Sequence, residues 1–237
     1  MKYPNFREEK KLWEKKYNIV IGLDESGRGP LAGPVVAAAV VVRQFFDSSE
    51  LKLSSSGNLL EGWKTKKLRS SKNLIPRKRE EIYQSLVKNP HIEWAIGRVS
   101  EKVIDRINIL EATKLAMERA IKNLERKLKQ KTKNNPVQKI RDRGFFAQGC
   151  FLIIDGNFGL DLNIPQKSII KADEKVFSCV VASIIAKVAR DRMMLKYHKR
   201  YPQYGFDKHK GYPTKFHREM IKKYGLSEIH RKTFRLS

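Results

Sequence analysis

The sequence predicts an α/β fold, a sheet flanked by helices and followed by a small C-terminal helical extension. Three observations predict it. Apolar runs of strand length at residues 18–23, 34–43, 91–99 and 150–154 are interleaved with segments of helical period. Two of these runs end on a carboxylate beside a glycine turn, at Asp24 and at Asp155. Residues 176–188 are apolar on nearly every side and too long for a strand, which reads as a buried helix.

Taken in order, residues 18–23 and 34–43 flank a Gly-Pro-rich turn and are expected to pair as a hairpin. The polar, Ser-rich stretch 47–57 reads as an exposed loop, and a basic stretch leads to a short helix at 77–88 with Ile82 and Leu86 on one face. Residues 91–99 form the third strand. From 109 to 128, Leu110, Met117, Ile121, Leu124 and Leu128 recur at helical spacing, so an amphipathic helix follows. The stretch 127–143 is strongly basic and poor in apolar residues. The strand at 150–154 ends in Asp155-Gly156-Asn157, a short strand at 168–171 leads to Asp173, and residues 190–237 alternate short helical patterns with basic and aromatic residues.

The composition narrows the function. Fifty Lys and Arg against 25 Asp and Glu give a formal net charge of +25, so a polyanion is the expected partner and nucleic acid the foremost one. No run approaches the roughly 20 apolar residues of a membrane span, and the charged N-terminus lacks the apolar core of a secretory signal, so a soluble cytoplasmic protein is expected. Cys150 and Cys179 are the only cysteines, which suggests neither a disulfide framework nor a cysteine zinc site. The five histidines lack zinc-like spacing with cysteines and are expected in surface or structural roles.

The run Ile21-Gly22-Leu23-Asp24-Glu25-Ser26-Gly27-Arg28-Gly29-Pro30 carries the most chemistry. Carboxylate oxygens are hard ligands suited to Mg²⁺, and Gly27 and Gly29 let backbone N–H groups approach a phosphate or a sugar closely. Ligands gather beyond the carboxyl ends of strands in such sheets, where Asp24, Asp155 and Asp173 are all expected. A divalent cation relieves the repulsion among crowded carboxylates and lowers the pKa of a bound water, the requirement for phosphodiester hydrolysis. Each site also has a plainer reading: Asp155 as a turn residue, Asp173 as a helix cap, Arg28 as a solvated charge and Tyr212 as packing. The basic runs 64–79 and 126–143 read equally as solvated faces or as phosphate contacts.

Together with Ala182-Ser183-Ile184-Ile185-Ala186-Lys187-Val188-Ala189-Arg190-Asp191, Lys210-Gly211-Tyr212-Pro213-Thr214, Asp105-Arg106-Ile107-Asn108-Ile109-Leu110 and His230-Arg231-Lys232-Thr233-Phe234-Arg235, these motifs resemble the bacterial ribonuclease HII family over most of the chain. The resemblance implies a ribonuclease H-like mixed sheet flanked by helices, and one catalytic domain over 1–237 with its core at 17–190 and a substrate-contacting helical extension at 191–237. It implies an endonuclease on the RNA strand of RNA–DNA hybrids and on ribonucleotides embedded in duplex DNA. Asp24, Glu25, Asp155 and Asp173 match the family's metal ligands for Mg²⁺ or Mn²⁺. Gly27, Arg28 and Gly29 match the segment that senses the ribose 2′-OH, and Tyr212 matches the tyrosine that packs on the neighbouring deoxyribose.

Ser26 stands where valine is usual, and Ser70-Ser71-Lys72-Asn73-Leu74 replaces Asp-Ser-Lys-Lys-Leu, with Lys72 kept as a phosphate ligand. Segments 44–67 and 127–149 look longer than in a compact family member. Two other functions fit the residues: a noncatalytic hybrid-binding module, and a two-metal nuclease acting on DNA junctions. A monomer is expected.

Overall fold

The computed structural model describes residues 4–42, 74–133 and 149–235. Lys72, Ser70 and the segment 44–67 lie outside the described residues.

Five strands form one mixed sheet in the order β3-β2-β1-β4-β5. Strands β1 (Ile19–Ser26) and β2 (Val35–Val42) are the expected antiparallel hairpin, and β3 (Ile92–Val99) pairs antiparallel with β2 at the sheet edge. Strand β4 (Cys150–Asp155) returns parallel to β1, and β5 (Gln166–Ile169) lies parallel to β4. The last strand sits two residues earlier than the pattern at 168–171 predicts, because Lys171 adopts a left-handed conformation (φ 58°) that ends extended pairing.

Helices cover both faces. Strand β2, Val-Val-Ala-Ala-Ala-Val-Val-Val, is buried at every residue, as a strand between two layers must be. One face, with Ile21, Leu23, Val35, Ala37, Leu152 and Ile154, packs on Ala116, Met117 and Leu124 of α3 (Glu101–Lys133). The other, with Ala38, Val40 and Val42, packs on Val180, Val181 and Ile184 of α4 (Phe177–Arg200), alongside α2 (Pro76–Lys88). Burial of each such valine contributes roughly 1.5–3 kcal/mol.

Asn108 breaks α3 with φ 65° and ψ 170°, and its side chain accepts from the N–H groups of Leu110 and Glu111 at 2.8 and 3.1 Å. The helix therefore restarts at Ile109, with Asn108 as its cap. Leu110 lies in that first turn and is exposed, unlike the other apolar positions of the pattern. Helix α4 continues twelve residues beyond the expected end at 188 and runs through the boundary at 190, so the C-terminal segment begins on a core helix.

A charged N-terminal helix, α1 (Arg7–Glu14), has no counterpart in the hydrophobic pattern. It is held by Trp13 and by Glu9, whose buried carboxylate accepts from the N–H and hydroxyl of Ser178 at 2.9 Å and so caps α4. Burial pushes the Glu9 carboxyl up from its ordinary range.

Part of the basic run after 126 has a structural use. Arg119, Asn123 and Lys127, four residues apart on α3, donate to the carbonyls of Arg98, Ile96 and Trp94 at 2.7, 2.8 and 3.2 Å. One helical turn and a two-residue strand step both advance about 6 Å, so the side chains cap alternate carbonyls of edge strand β3. Lys127 and Lys131 also pair with Glu93, at 3.4 and 2.5 Å.

Two glycines let the helices down onto the sheet. A Cβ at Gly22 would lie 2.5 Å from the backbone of Ser178 in α4, and one at Gly97 would lie 2.1 Å from the Ala116 carbonyl oxygen in α3. Gly22→Ala is expected to destabilise the fold by roughly 1–3 kcal/mol, since backbone cannot yield as a flexible side chain would. Urea unfolding measures this, and an unchanged midpoint contradicts direct α4–β1 contact.

Candidate metal centre and substrate cleft

The parallel register pairs Leu23 with Ile154, the last pair between β1 and β4, so the next residues along each strand, Asp24 and Asp155, stand side by side where that pairing stops, while Asp24 still pairs with Ala38 of β2 and Asp155 with Ile169 of β5. Alternation puts both on the α4 face, with Gly22 and Ile153. Asp155 Oδ1 accepts from the Ala172 N–H at 2.7 Å, which fixes the 3₁₀ turn Ala172–Glu174 and brings Asp173 to the same place. One carboxylate oxygen from each of Asp24, Asp155 and Asp173 lies within 4.8 Å of the others. Asp24 is 1% exposed and Asp173 8%.

Three ionised carboxylates at this spacing repel by roughly 3.5 kcal/mol per pair at an effective dielectric near 20. A hard divalent cation among them turns repulsion into attraction, so the all-oxygen donor set fits Mg²⁺ or Mn²⁺. Glu25 is not in this group. Strand alternation directs it away from Asp24, and its carboxylate lies 3.6 Å from the Arg28 guanidinium at the mouth of the adjacent cleft.

That cleft, of about 380 Å³, is lined by Glu25, Gly27, Arg28, Gly29, Lys187 and Tyr212, with Ser26 and Ser183 completing it. Gly27 has φ 103°, and a side chain there would overlap Arg190 Nε at 2.2 Å. Gly29 faces Tyr212: its missing Cβ would sit 3.8 Å from the ring. Four of the sequence-predicted substrate residues, Gly27, Arg28, Gly29 and Tyr212, are thus brought together, while Lys72 lies outside the described residues.

Two arginines that the sequence reading left without a role hold the cleft. Arg190 donates to the carbonyls of Pro34, Lys210 and Ala32 at 2.9, 3.0 and 3.1 Å. Arg231 donates to Gly27 at 2.6 Å, to Arg28 at 2.9 Å and twice to Gly33, at 2.8 and 3.0 Å. Both side chains are buried, and desolvation lowers their pKa values to about 10 and about 9, which leaves them cationic at neutral pH. The signal for Arg190 was its spacing: Ser183, Lys187 and Arg190 fall on one face of α4, and the first two line the cleft. Lys187 is steered by Asp191 at 2.7 Å, which also binds Arg79 at 3.3 Å. Burial lowers the Lys187 pKa.

The cysteines are free and buried, and burial raises the Cys150 thiol to about 12. Among the described residues no helix is long and apolar enough to cross a membrane.

A carboxylate cluster at the ends of adjacent parallel strands, inside this five-stranded sheet, defines a metal-dependent hydrolase with a ribonuclease H-type fold. The Ribonuclease HII family model matches residues 21–237. The chain is 44% identical to the ribonuclease HII of Treponema denticola over 218 residues, covering 91% of this chain and 98% of that one. It also superposes on the crystal structure of ribonuclease H2 from Pyrococcus horikoshii OT3 with a TM-score of 0.59 and 25% identity, covering 92% of this chain and 94% of that one. Bst ribonuclease HIII, solved in complex with Mn²⁺, shares the fold at a TM-score of 0.62 and 17% identity, over 94% of this chain and 69% of that one. The chain belongs to the ribonuclease HII family. It is a metal-dependent endoribonuclease acting on the RNA of RNA–DNA hybrids.

Histidines 217 and 230 are almost completely buried beside the cleft, and burial above all lowers both pKa values to about 4, against 6.5 for a free side chain. Between pH 6.5 and 4 the unfolded chain binds protons that the native chain refuses, so their contribution is fully present above about 6.5 and is lost as pH falls toward 4. The urea midpoint is expected to drop over that window, and His217→Phe should flatten the drop. Equal pH slopes in wild type and variant contradict the assignment.

Proposed function

We propose that this endonuclease cuts on the 5′ side of ribonucleotides embedded in duplex DNA, as well as in RNA–DNA hybrids, by two-metal-ion catalysis that leaves 5′-phosphate and 3′-hydroxyl ends. The convergence of Asp24, Asp155 and Asp173 within 4.8 Å, next to the Gly27-Arg28-Gly29 loop, carries the reading. Asp24, Asp155 and Asp173 would hold the metal together, and Glu25, beside Arg28 at the mouth of the adjoining cleft, would complete the ligand set. Bound Mg²⁺ or Mn²⁺ supplies an acidified water and charge stabilisation at the leaving oxygen.

The chain's own residues do the rest. Backbone groups of Gly27, Arg28 and Gly29 meet the 2′-OH, the group that distinguishes RNA from DNA. Tyr212, across the cleft, packs on the adjoining deoxyribose, and Arg28, Lys187 and Lys72 receive phosphates. The water gives up a proton to solvent as its oxygen forms the new bond to phosphorus, the bond from phosphorus to the 3′ oxygen breaks, and that oxygen takes a proton from solvent and leaves as a hydroxyl. The whole chain, 1–237, serves as one catalytic domain with substrate contacts from 191–237, acting as a monomer in the cytoplasm.

The test is cleavage of a duplex carrying one ribonucleotide beside an all-DNA duplex, with end mapping at one salt concentration. Wild type with Mg²⁺ is expected to give a single cut 5′ to the ribonucleotide. Chelation by EDTA should stop it, and Asp155→Asn should lower turnover at least a hundredfold while leaving substrate affinity within a few-fold, the behaviour of a group needed for the chemical step. Near-normal cleavage by Asp155→Asn, or a 2′,3′-cyclic phosphate product, contradicts the mechanism.

A further inference from the structure

The two walls of the cleft are tied together from behind by two consecutive residues. Arg231 grips the carbonyls of Gly27, Arg28 and Gly33 on the loop side. On the other side His230 Nδ1 accepts from the Ser227 N–H at 2.9 Å, so its proton is on Nε2, which faces His217 Nε2 at 3.1 Å. His217 Nε2 must then accept, its proton sits on Nδ1, and Nδ1–H donates to the Tyr212 carbonyl at 2.9 Å. The opposite tautomers would set a protonated His230 Nδ1 against the Ser227 N–H and a lone pair of His217 against a carbonyl oxygen. One proton arrangement therefore fits the whole chain of bonds.

A third ring steadies the same turn. His209 stacks on His217 at 4.4 Å, accepts from the Gly211 N–H at 3.2 Å and donates to the Tyr204 carbonyl at 2.7 Å. Gly211 (φ 87°) lies so close to the loop that a Cβ would fall 2.6 Å from the Ala32 carbonyl oxygen, and its own carbonyl accepts from the Leu31 N–H at 2.8 Å.

We infer that His217, His230 and Arg231 are positioning residues that set the gap between the glycine loop and Tyr212, and through it the preference for a ribonucleotide flanked by DNA. This rests on the proposed contact of Tyr212 with the deoxyribose. Discrimination depends on a single hydroxyl, so it is sensitive to small displacements of the opposing wall, and misplacement by about 1 Å can cost on the order of a hundredfold in rate. A relaxed Tyr212 loses the junction more than it loses continuous RNA–DNA hybrid, where no flanking deoxyribose has to be gripped on the cut strand.

The experiment compares kcat/KM on a single-ribonucleotide duplex with that on a uniform RNA–DNA hybrid, for wild type, His217→Phe, His217→Asn, Tyr212→Ala and the His217→Phe/Tyr212→Ala double variant. His217→Phe, which keeps a ring but removes both nitrogens, should lower the junction-to-hybrid ratio about tenfold. His217→Asn should recover most of it, because its amide N–H stands in for Nδ1–H. The double variant should match Tyr212→Ala. Equal losses on both substrates, or additive effects in the double variant, overturn the inference. A ratio unchanged in Tyr212→Ala overturns the junction reading of Tyr212 itself, whereas a ratio changed in Tyr212→Ala but not in His217→Phe overturns only the positioning role. Should His217→Phe fail to fold, His230→Asn decides: it keeps the acceptor for Ser227 and loses the donor to His217, and an unchanged ratio in that variant overturns the inference.

Discussion

The parallel pairing of β1 with β4, in the register that sets Leu23 beside Ile154, is the constraint on which the rest depends. A slip of one residue would turn either aspartate to the α3 face, since side chains alternate with a period of two. The register is enforced by burial: Ile21, Leu23, Leu152 and Ile154 fill one core, while Val20 and Ile153 fill another on the opposite face. Charge is thus brought together by apolar packing, near the carboxyl ends of β1 and β4 where the pairing between these two strands stops. The Asp155–Ala172 hydrogen bond extends the same order to the third carboxylate, and it does so through a turn that Lys171 enters in a left-handed conformation.

A second tier of order comes from buried cations that are satisfied by carbonyl oxygens. Arg190 and Arg231 present planar, multiply donating guanidiniums to the main chain of a glycine- and proline-rich loop that has little secondary structure of its own. Lysine offers one point charge where arginine spans several acceptors at fixed angles, so the two are not equivalent here. Desolvation of these charges is costly, and the cost is offset by the number of charge-assisted bonds each one makes. Their positive charge also lies behind the cleft, so it adds to the attraction of the basic surface for phosphate.

Much of this was legible in the sequence for identifiable reasons. The strands and the helix of residues 109–128 announce themselves by period, and the carboxylates by their place after apolar runs. Helix α1 escaped because its eight residues are mostly charged and its burial depends on Trp13 and Glu9 alone. The end of α4 escaped because residues 190–200 are basic, and only tertiary contact by Arg190 and Met194 reveals a buried side. Glu25 is adjacent to Asp24 in sequence but is sent elsewhere by the pleat, a difference that composition cannot express. The roles of Arg190, Arg231 and the three histidines required knowing which main-chain groups would be left to satisfy, which only the assembled fold defines.

Whether the three carboxylates that strand register gathers, Asp24, Asp155 and Asp173, hold a divalent cation is tested without reference to turnover by Mn²⁺ binding followed by electron paramagnetic resonance. Wild type should bind Mn²⁺, Mg²⁺ should displace it, and Asp24→Asn and Asp173→Asn should each weaken binding at least tenfold while circular dichroism stays unchanged. Wild-type Mn²⁺ affinity in both folded variants would show that these carboxylates do not hold the cation.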